Sequence, residues 1–131
     1  MRRMKRFFLV LITGLFFASC APPPTPEPLG AEAYITSSDL LIAESYPVQV
    51  RLHIVGDLPT PCHTFASEVS GPDGENHIDV TAYSIGDPLA ICLQVLEPFE
   101  ENVAIPMTGA PDGMYSVWLN GEFVGEFSYP G

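Results

Sequence analysis

Val48-Gln49-Val50-Arg51-Leu52-His53-Ile54 alternates apolar and polar residues without a break. Successive side chains of a strand point to opposite faces. The stretch therefore predicts a half-buried strand, with Val48, Val50, Leu52 and Ile54 inward and Arg51 and His53 outward. On both sides of it the pattern repeats in weaker form. From residue 31 onward, short apolar runs are broken by turn residues every eight to fifteen positions, and no helical period is sustained. That spacing belongs to a sandwich or barrel, and about 100 residues suffice for one core.

The expected strands follow in order. Tyr34–Thr36 and Leu40–Ala43 form an interrupted first strand. Gly56-Asp57-Leu58-Pro59-Thr60-Pro61 turns the chain into His63–Val69, and Ser70–Asn76 is a loop before His77–Ile85. Gly86-Asp87-Pro88 leads to a strand over Ala90–Leu96, with Cys92 inside it. Glu97–Glu101 leads into Val103–Ile105, where Pro98 and Pro106 mark edge positions. Asn120-Gly121 is a strong hairpin signal before Phe123–Tyr129.

Pro111-Asp112-Gly113-Met114-Tyr115-Ser116-Val117 resembles the turn-to-strand passage of immunoglobulin-like and fibronectin-type sandwiches. There, a tyrosine at the start of a late strand bonds the backbone just upstream and closes a corner. The spacing from proline to tyrosine differs from the usual fibronectin pattern. The resemblance implies an all-β, immunoglobulin-like antiparallel sandwich of about seven to eight strands.

The last hairpin contains a conflict of register. A two-residue Asn-Gly turn pairs Leu119 with Glu122, Trp118 with Phe123 and Val117 with Val124. A three-residue loop instead gathers Tyr115, Val117, Leu119, Phe123 and Phe127 on one face and leaves Ser116, Glu126 and Ser128 outside. The second separates apolar from polar more cleanly and is the expectation for the core. A bulge near Gly125 would reconcile the two. Trp118, Met114 and Val124 then lie on the outer face, either covered by a neighbouring segment or forming a ligand or partner site.

The N-terminal stretch carries a different message. Met1–Arg6 holds four positive charges, Phe7–Phe17 is apolar except at Thr13 and Gly14, and Ala18 and Ser19 precede Cys20. This is the layout of a secretory signal, too short to span a bilayer stably. Its end resembles the lipobox of bacterial lipoproteins, although Phe17 stands where leucine is usual. The resemblance implies cleavage before Cys20 and a diacylglyceryl group on its sulfur, with palmitate among the acyl chains. Ordinary signal-peptidase cleavage, with Ala18 and Cys20 as the small positions, is the alternative. The expected organisation is a signal peptide at 1–19, a lipidated cysteine and proline-rich linker at 20–30, and a sandwich at 31–131. Five of the ten residues from Ala21 to Gly30 are proline, the composition of an extended spacer. The expected address is the extracytoplasmic side of a membrane in the bacterial cell envelope, reached through the anchor at Cys20.

Removing the signal sharpens the charge. Four of the five basic residues lie in residues 1–6, so sixteen acidic groups then face Arg51 alone, a formal charge of −15 against −11 for the whole chain. A surface this negative repels nucleic-acid phosphates and anionic headgroups, and no nucleic acid is expected as a partner of the folded part. With Cys20 acylated, Cys62 and Cys92 remain as one pair in an oxidising compartment, and a disulfide is expected between them. Cys62-His63 with His53 or His77 is the competing metal set, but neither cysteine has a CxxC or HxxxH neighbour. The acidic loop Ser70–Asn76 lacks the regular oxygen alternation of an EF-hand and reads as a turn.

Catalytic signals are sparse. His53, His63 and His77 are the histidines, and there is no Gly-x-Ser-x-Gly elbow, His-Glu-x-x-His helix or phosphate-binding glycine loop. Glu97 and Glu100 read as solvated carboxylates rather than a glycosidic pair, because short loops leave little room for a cleft. The expectation is a non-enzyme without cofactor or metal, a binding or adaptor module for an envelope protein partner. The alternative is an exported proteinase inhibitor presenting the loops Asp57–Pro61, Gly71–Asn76 and Thr108–Gly113.

Overall fold

The computed structural model describes residues 30–131. The expected signal peptide, Cys20 and the expected linker up to residue 29 lie outside the described residues. Eight strands follow in chain order: β1 (Gly30–Glu32), β2 (Tyr34–Ala43), β3 (Gln49–Leu58), β4 (His63–Ser70), β5 (His77–Gly86), β6 (Glu97–Ile105), β7 (Gly113–Leu119) and β8 (Glu122–Tyr129). They build an all-β sandwich. One sheet has the order β2-β3-β6, and the other is centred on β5. Strand β4 lines one edge of β5, while β1 and β7 share the other edge and β8 follows β7. Among the described residues no helix is long and apolar enough to cross a membrane.

The alternation that opened the sequence sits where expected, at the centre of the three-stranded sheet. Val50, Leu52 and Ile54 are buried, Arg51 is exposed and His53 half-exposed. Across the sandwich they meet Ile78, Val80 and Ala82 of β5 and Tyr115, Val117 and Leu119 of β7. Phe65 of β4 and Phe99 of β6 join the two sheets along one side, with ring centroids 4.9 Å apart. Buried Ser84 donates its hydroxyl to the Ala31 carbonyl at 3.1 Å, so it brings no unpaired polar group into the interior.

The first long strand is continuous where an interruption was expected. Tyr34–Ala43 pairs with β3 along its length, and a bulge between Ile35 and Ser37 absorbs the irregularity. At that point Gly56 lies so close to the Tyr34 carbonyl and the Phe99 ring that no side chain would fit. Strand β6 runs unbroken from Glu97 and contains Pro98. As an edge strand bonded to β3 alone, it can spare the missing N–H.

The expected strand over Ala90–Leu96 is not formed. Residues 87–96 are a loop, so Cys92 lies in a loop and not within a strand. Asp87 starts it: its carboxylate accepts the Leu89 N–H at 2.9 Å and its carbonyl accepts the Ala90 N–H at 3.2 Å. Cys92 is bonded to Cys62, with Cα atoms 6.0 Å apart, which ties the segment to the β3–β4 connection. The apolar run that suggested a strand has no sheet to cover it, and its side chains face solvent.

The register of the last hairpin combines both expected patterns. Asn120-Gly121 forms a two-residue turn, with Leu119 opposite Glu122 and Trp118 opposite Phe123. A bulge then makes Val124 the extra residue, so that Val117 faces Gly125 and Tyr115 faces Phe127. The core face keeps Tyr115, Val117, Leu119 and Phe127. Phe123 departs from expectation and is exposed beside Trp118. Val124 departs too: it is half-buried against the core, not on the outer face. The corner forms as the resemblance implied, the Tyr115 hydroxyl donating to the Pro111 carbonyl at 2.6 Å.

One strand pair breaks the antiparallel rule. Strand β7 runs parallel to β5, pairing His77–Val80 with Ser116–Leu119. It reaches β5 by crossing from β6 in the opposite sheet, so hairpin geometry does not set its direction. Beyond Leu119 the edge of β5 would be bare until β1 begins opposite Tyr83. Asn120 covers the gap. Its backbone N–H donates to Val80 O at 2.9 Å. Its side-chain oxygen accepts the Ala82 N–H at 2.8 Å, and its side-chain N–H donates to Ala82 O at 3.1 Å.

Candidate functional site

The parallel pairing decides which residues meet on the outer face of the β5 sheet. His77 and Asp79 of β5 stand beside Ser116 and Trp118 of β7. The Trp118 ring lies 5.8 Å from the His77 ring and 5.5 Å, nearly edge-on, from Phe123. Its indole N–H donates to the Ser116 hydroxyl at 3.2 Å, which holds the ring down along β7. Trp118 is consequently half-buried, while Phe123 and Met114 are more than half exposed. The result is an aromatic surface patch with acidic neighbours in Asp79, opposite Trp118, and Glu126, opposite Ser116.

The β4–β5 loop borders the patch. Asp73 organises it: one carboxylate oxygen accepts the Glu75 N–H at 2.8 Å and the His77 N–H at 2.9 Å. Those two backbone donors hold the Asp73 carboxyl below its ordinary value, because they stabilise the charged form. His77 Nδ1 is 3.8 Å from the second Asp73 oxygen and 3.9 Å from Glu75. The ligand atoms of Asp73, Glu75 and His77 lie within 4.8 Å of one another. Asp73 has already committed one oxygen to the turn, and the cluster is open to solvent; its geometry is that of a loop closed by a carboxylate. Asn76 completes the junction, donating its side-chain N–H to Met114 O at 3.0 Å.

The histidines are dispersed. His53 lies against Asn102 and Glu100 on the outer face of the other sheet. His63 shares a 2.8 Å hydrogen bond with the Thr60 hydroxyl near the disulfide. Glu97 and Glu100 are exposed along the β6 edge strand. Of the outer-face residues singled out in the sequence, Trp118 and Met114 lie on β7 and Val124 packs inward. His77 and Phe123 complete the patch. Phe123 is placed by the two-residue Asn-Gly turn, which the apolar pattern of the hairpin argued against, and His77 by the parallel register, which no local pattern encodes.

The three end loops do not converge. The β3–β4 connection containing Asp57–Pro61 is at the disulfide end, where Leu58 faces Glu97. Gly71–Asn76 and Thr108–Gly113 are at the other end, joined through the Asn76–Met114 bond. Beside the turn at Asn120, a groove of about 390 Å³ runs between β2 and β8, lined in part by Tyr34, Ile35, Phe123 and Val124.

Comparison with curated proteins and with solved structures gives no significant match. Residues 52–129 match the family model of the ORF11 beta-sandwich domain, a span running from β3 to the end of β8 and covering more than half of the chain. The two-sheet architecture is the one that description names, and the chain belongs to the ORF11 beta-sandwich domain family.

Proposed function

We propose that this protein is a lipid-anchored lipoprotein of the bacterial envelope that displays its sandwich as a non-catalytic binding or adaptor module. The observation that carries the binding role is the outer-face patch, where Trp118, Phe123 and Met114 offer apolar surface beside acidic groups. Tryptophan and methionine are enriched at protein interfaces, and negative neighbours favour a partner with basic residues. The dispersed histidines support a non-enzymatic reading. The split of the loops between the two ends favours an adaptor over an inhibitor that presents loops at one end. Anchoring rests on the signal and the cysteine at position 20.

Two measurements test the proposal. Cys20→Ser is expected to abolish fatty-acid labelling; unchanged labelling refutes the anchor. A photo-crosslinker at Met114 in the native host is expected to capture an envelope protein, and Trp118→Ala to reduce that capture. Crosslinking no stronger than from an exposed site on the other sheet such as Asp39 refutes the patch as the binding face.

A further inference from the structure

The loop between β5 and β6 is the most apolar exposed segment of the described protein. Leu89 is 91% exposed, Ile91 104% and Leu93 74%, and Val95 and Leu96 are each more than half exposed. No charged residue occurs from Pro88 to Leu96. Hydrophobic burial would ordinarily fold such a run back onto a core. Here the Cys62–Cys92 bond holds its centre at the end of the sandwich, and Asp87 shapes its beginning.

What stands opposite this loop follows from where the chain enters the sandwich. Gly30, the first residue of β1, pairs with Ile85 near the end of β5. The strands are antiparallel, so the chain before Gly30 and the chain after Ile85 leave the sheet at the same end. Gly30, Ala31, His63, Gly86, Asp87 and Pro88 line one shallow recess there. Gly30 is ten positions beyond Cys20, a reach of at most about 36 Å even when fully extended.

We infer that the 87–96 loop is a second, reversible contact with the bilayer surface, seating its apolar side chains among the lipids beside the anchor. The inference rests on the lipidation proposed at Cys20, which confines this end of the domain near the membrane. Tethering beside the bilayer raises the local concentration of lipid around the loop, so that even a weak second contact is occupied. The attraction is hydrophobic and not electrostatic: the segment has no basic residue, and the surrounding sandwich is strongly acidic. Neutral bilayers are therefore preferred to anionic ones. Seated in this way, the domain holds the Trp118 patch at the opposite part of the sheet. His77, beside that patch, is eight residues along β5 from Ile85, about 26 Å away at the rise of a strand.

Vesicle flotation of residues 20–131 carrying Cys20→Ser tests the loop without the anchor. This chain keeps both sheets, the whole core and the disulfide. It is expected to float with phosphatidylcholine vesicles and less well when phosphatidylglycerol is added. Ile91→Asp with Leu93→Asp is expected to lower partitioning by at least about tenfold, with an unchanged near-ultraviolet spectrum and an intact disulfide. Leu93→Trp should shift its emission to the blue on binding, while Trp118 in the parent chain should not. Absence of flotation, flotation indifferent to the double substitution, or a dimer dispersed by it would each overturn the inference; the last would assign the loop to a second copy. This chain carries no acyl group. Its failure would thus count against the loop alone, and fatty-acid labelling at Cys20 decides the anchor separately.

Discussion

Replacing Asn120 with alanine tests how the β5 edge is closed, because one side chain there does the work of a missing strand residue. The substitution removes the bonds to the Ala82 N–H and Ala82 O, 2.8 and 3.1 Å long. Each contributes on the order of 1 kcal/mol net. The Ala82 N–H belongs to a residue only 4% exposed, and losing its partner raises its share to about 1–3 kcal/mol. Asn120 also has φ at +49°, a left-handed conformation that asparagine tolerates and alanine resists by roughly 1 kcal/mol. The expected loss is about 3–5 kcal/mol, a large fraction of the ~5–15 kcal/mol typical of a domain. With a urea slope of about 1–3 kcal/mol per molar, the midpoint should fall by at least about 1 M. Asn120→Gly separates the causes. Glycine accepts the backbone angle but makes neither side-chain bond, so it should retain about 1 kcal/mol over alanine. Amide exchange at Ala82 should accelerate in both variants. Unfolding free energies within about 0.5 kcal/mol of the parent, with Ala82 still protected, would refute the bridging role.

Opening the disulfide with Cys62→Ser and Cys92→Ser, 30 residues apart, should cost roughly 3.6 kcal/mol by the loop-entropy relation, read as a lower denaturant midpoint. Tyr115→Phe removes the 2.6 Å bond to Pro111 O while the buried ring keeps its stacking on Phe127. Because water can reach exposed Pro111, the loss should be only about 1 kcal/mol in the same assay. The Asp73 carboxyl is depressed below its ordinary 3.8, so its stabilising effect is complete above that value and is lost as pH falls through the lowered folded value. The gap in thermal midpoint between the parent and Asp73→Ala should therefore be constant near neutrality and close in acid.

Much of the architecture was legible because a strand with one buried face writes its orientation into alternate residues. Val50, Leu52 and Ile54 were placed from that period alone, and Tyr115 from a local turn-and-strand pattern. The same rule misread Ala90–Leu96, since apolar residues in a row describe a demand for burial and not its fulfilment. The hairpin shows the limit at finer scale. Its apolar pattern and its Asn-Gly turn favoured different registers; the turn set Phe123 outward, and the bulge at Val124 then returned Phe127 to the core face.

For the candidate site the division is sharper. The cysteine count, the charge of the chain after Cys20 and the all-β class were determined by the sequence, because each depends on composition or on neighbours within a few residues. The union of His77 with Trp118 was decided only by the parallel packing of β7 on β5, and the bridge from Asn120 to Ala82 by the gap that packing leaves. The nearness of Gly30 to the 87–96 loop likewise came from the pairing of β1 with the end of β5. Such contacts join residues 38 to 55 positions apart, and no local pattern encodes them. They follow from which strand edges are left open once the core has chosen its partners.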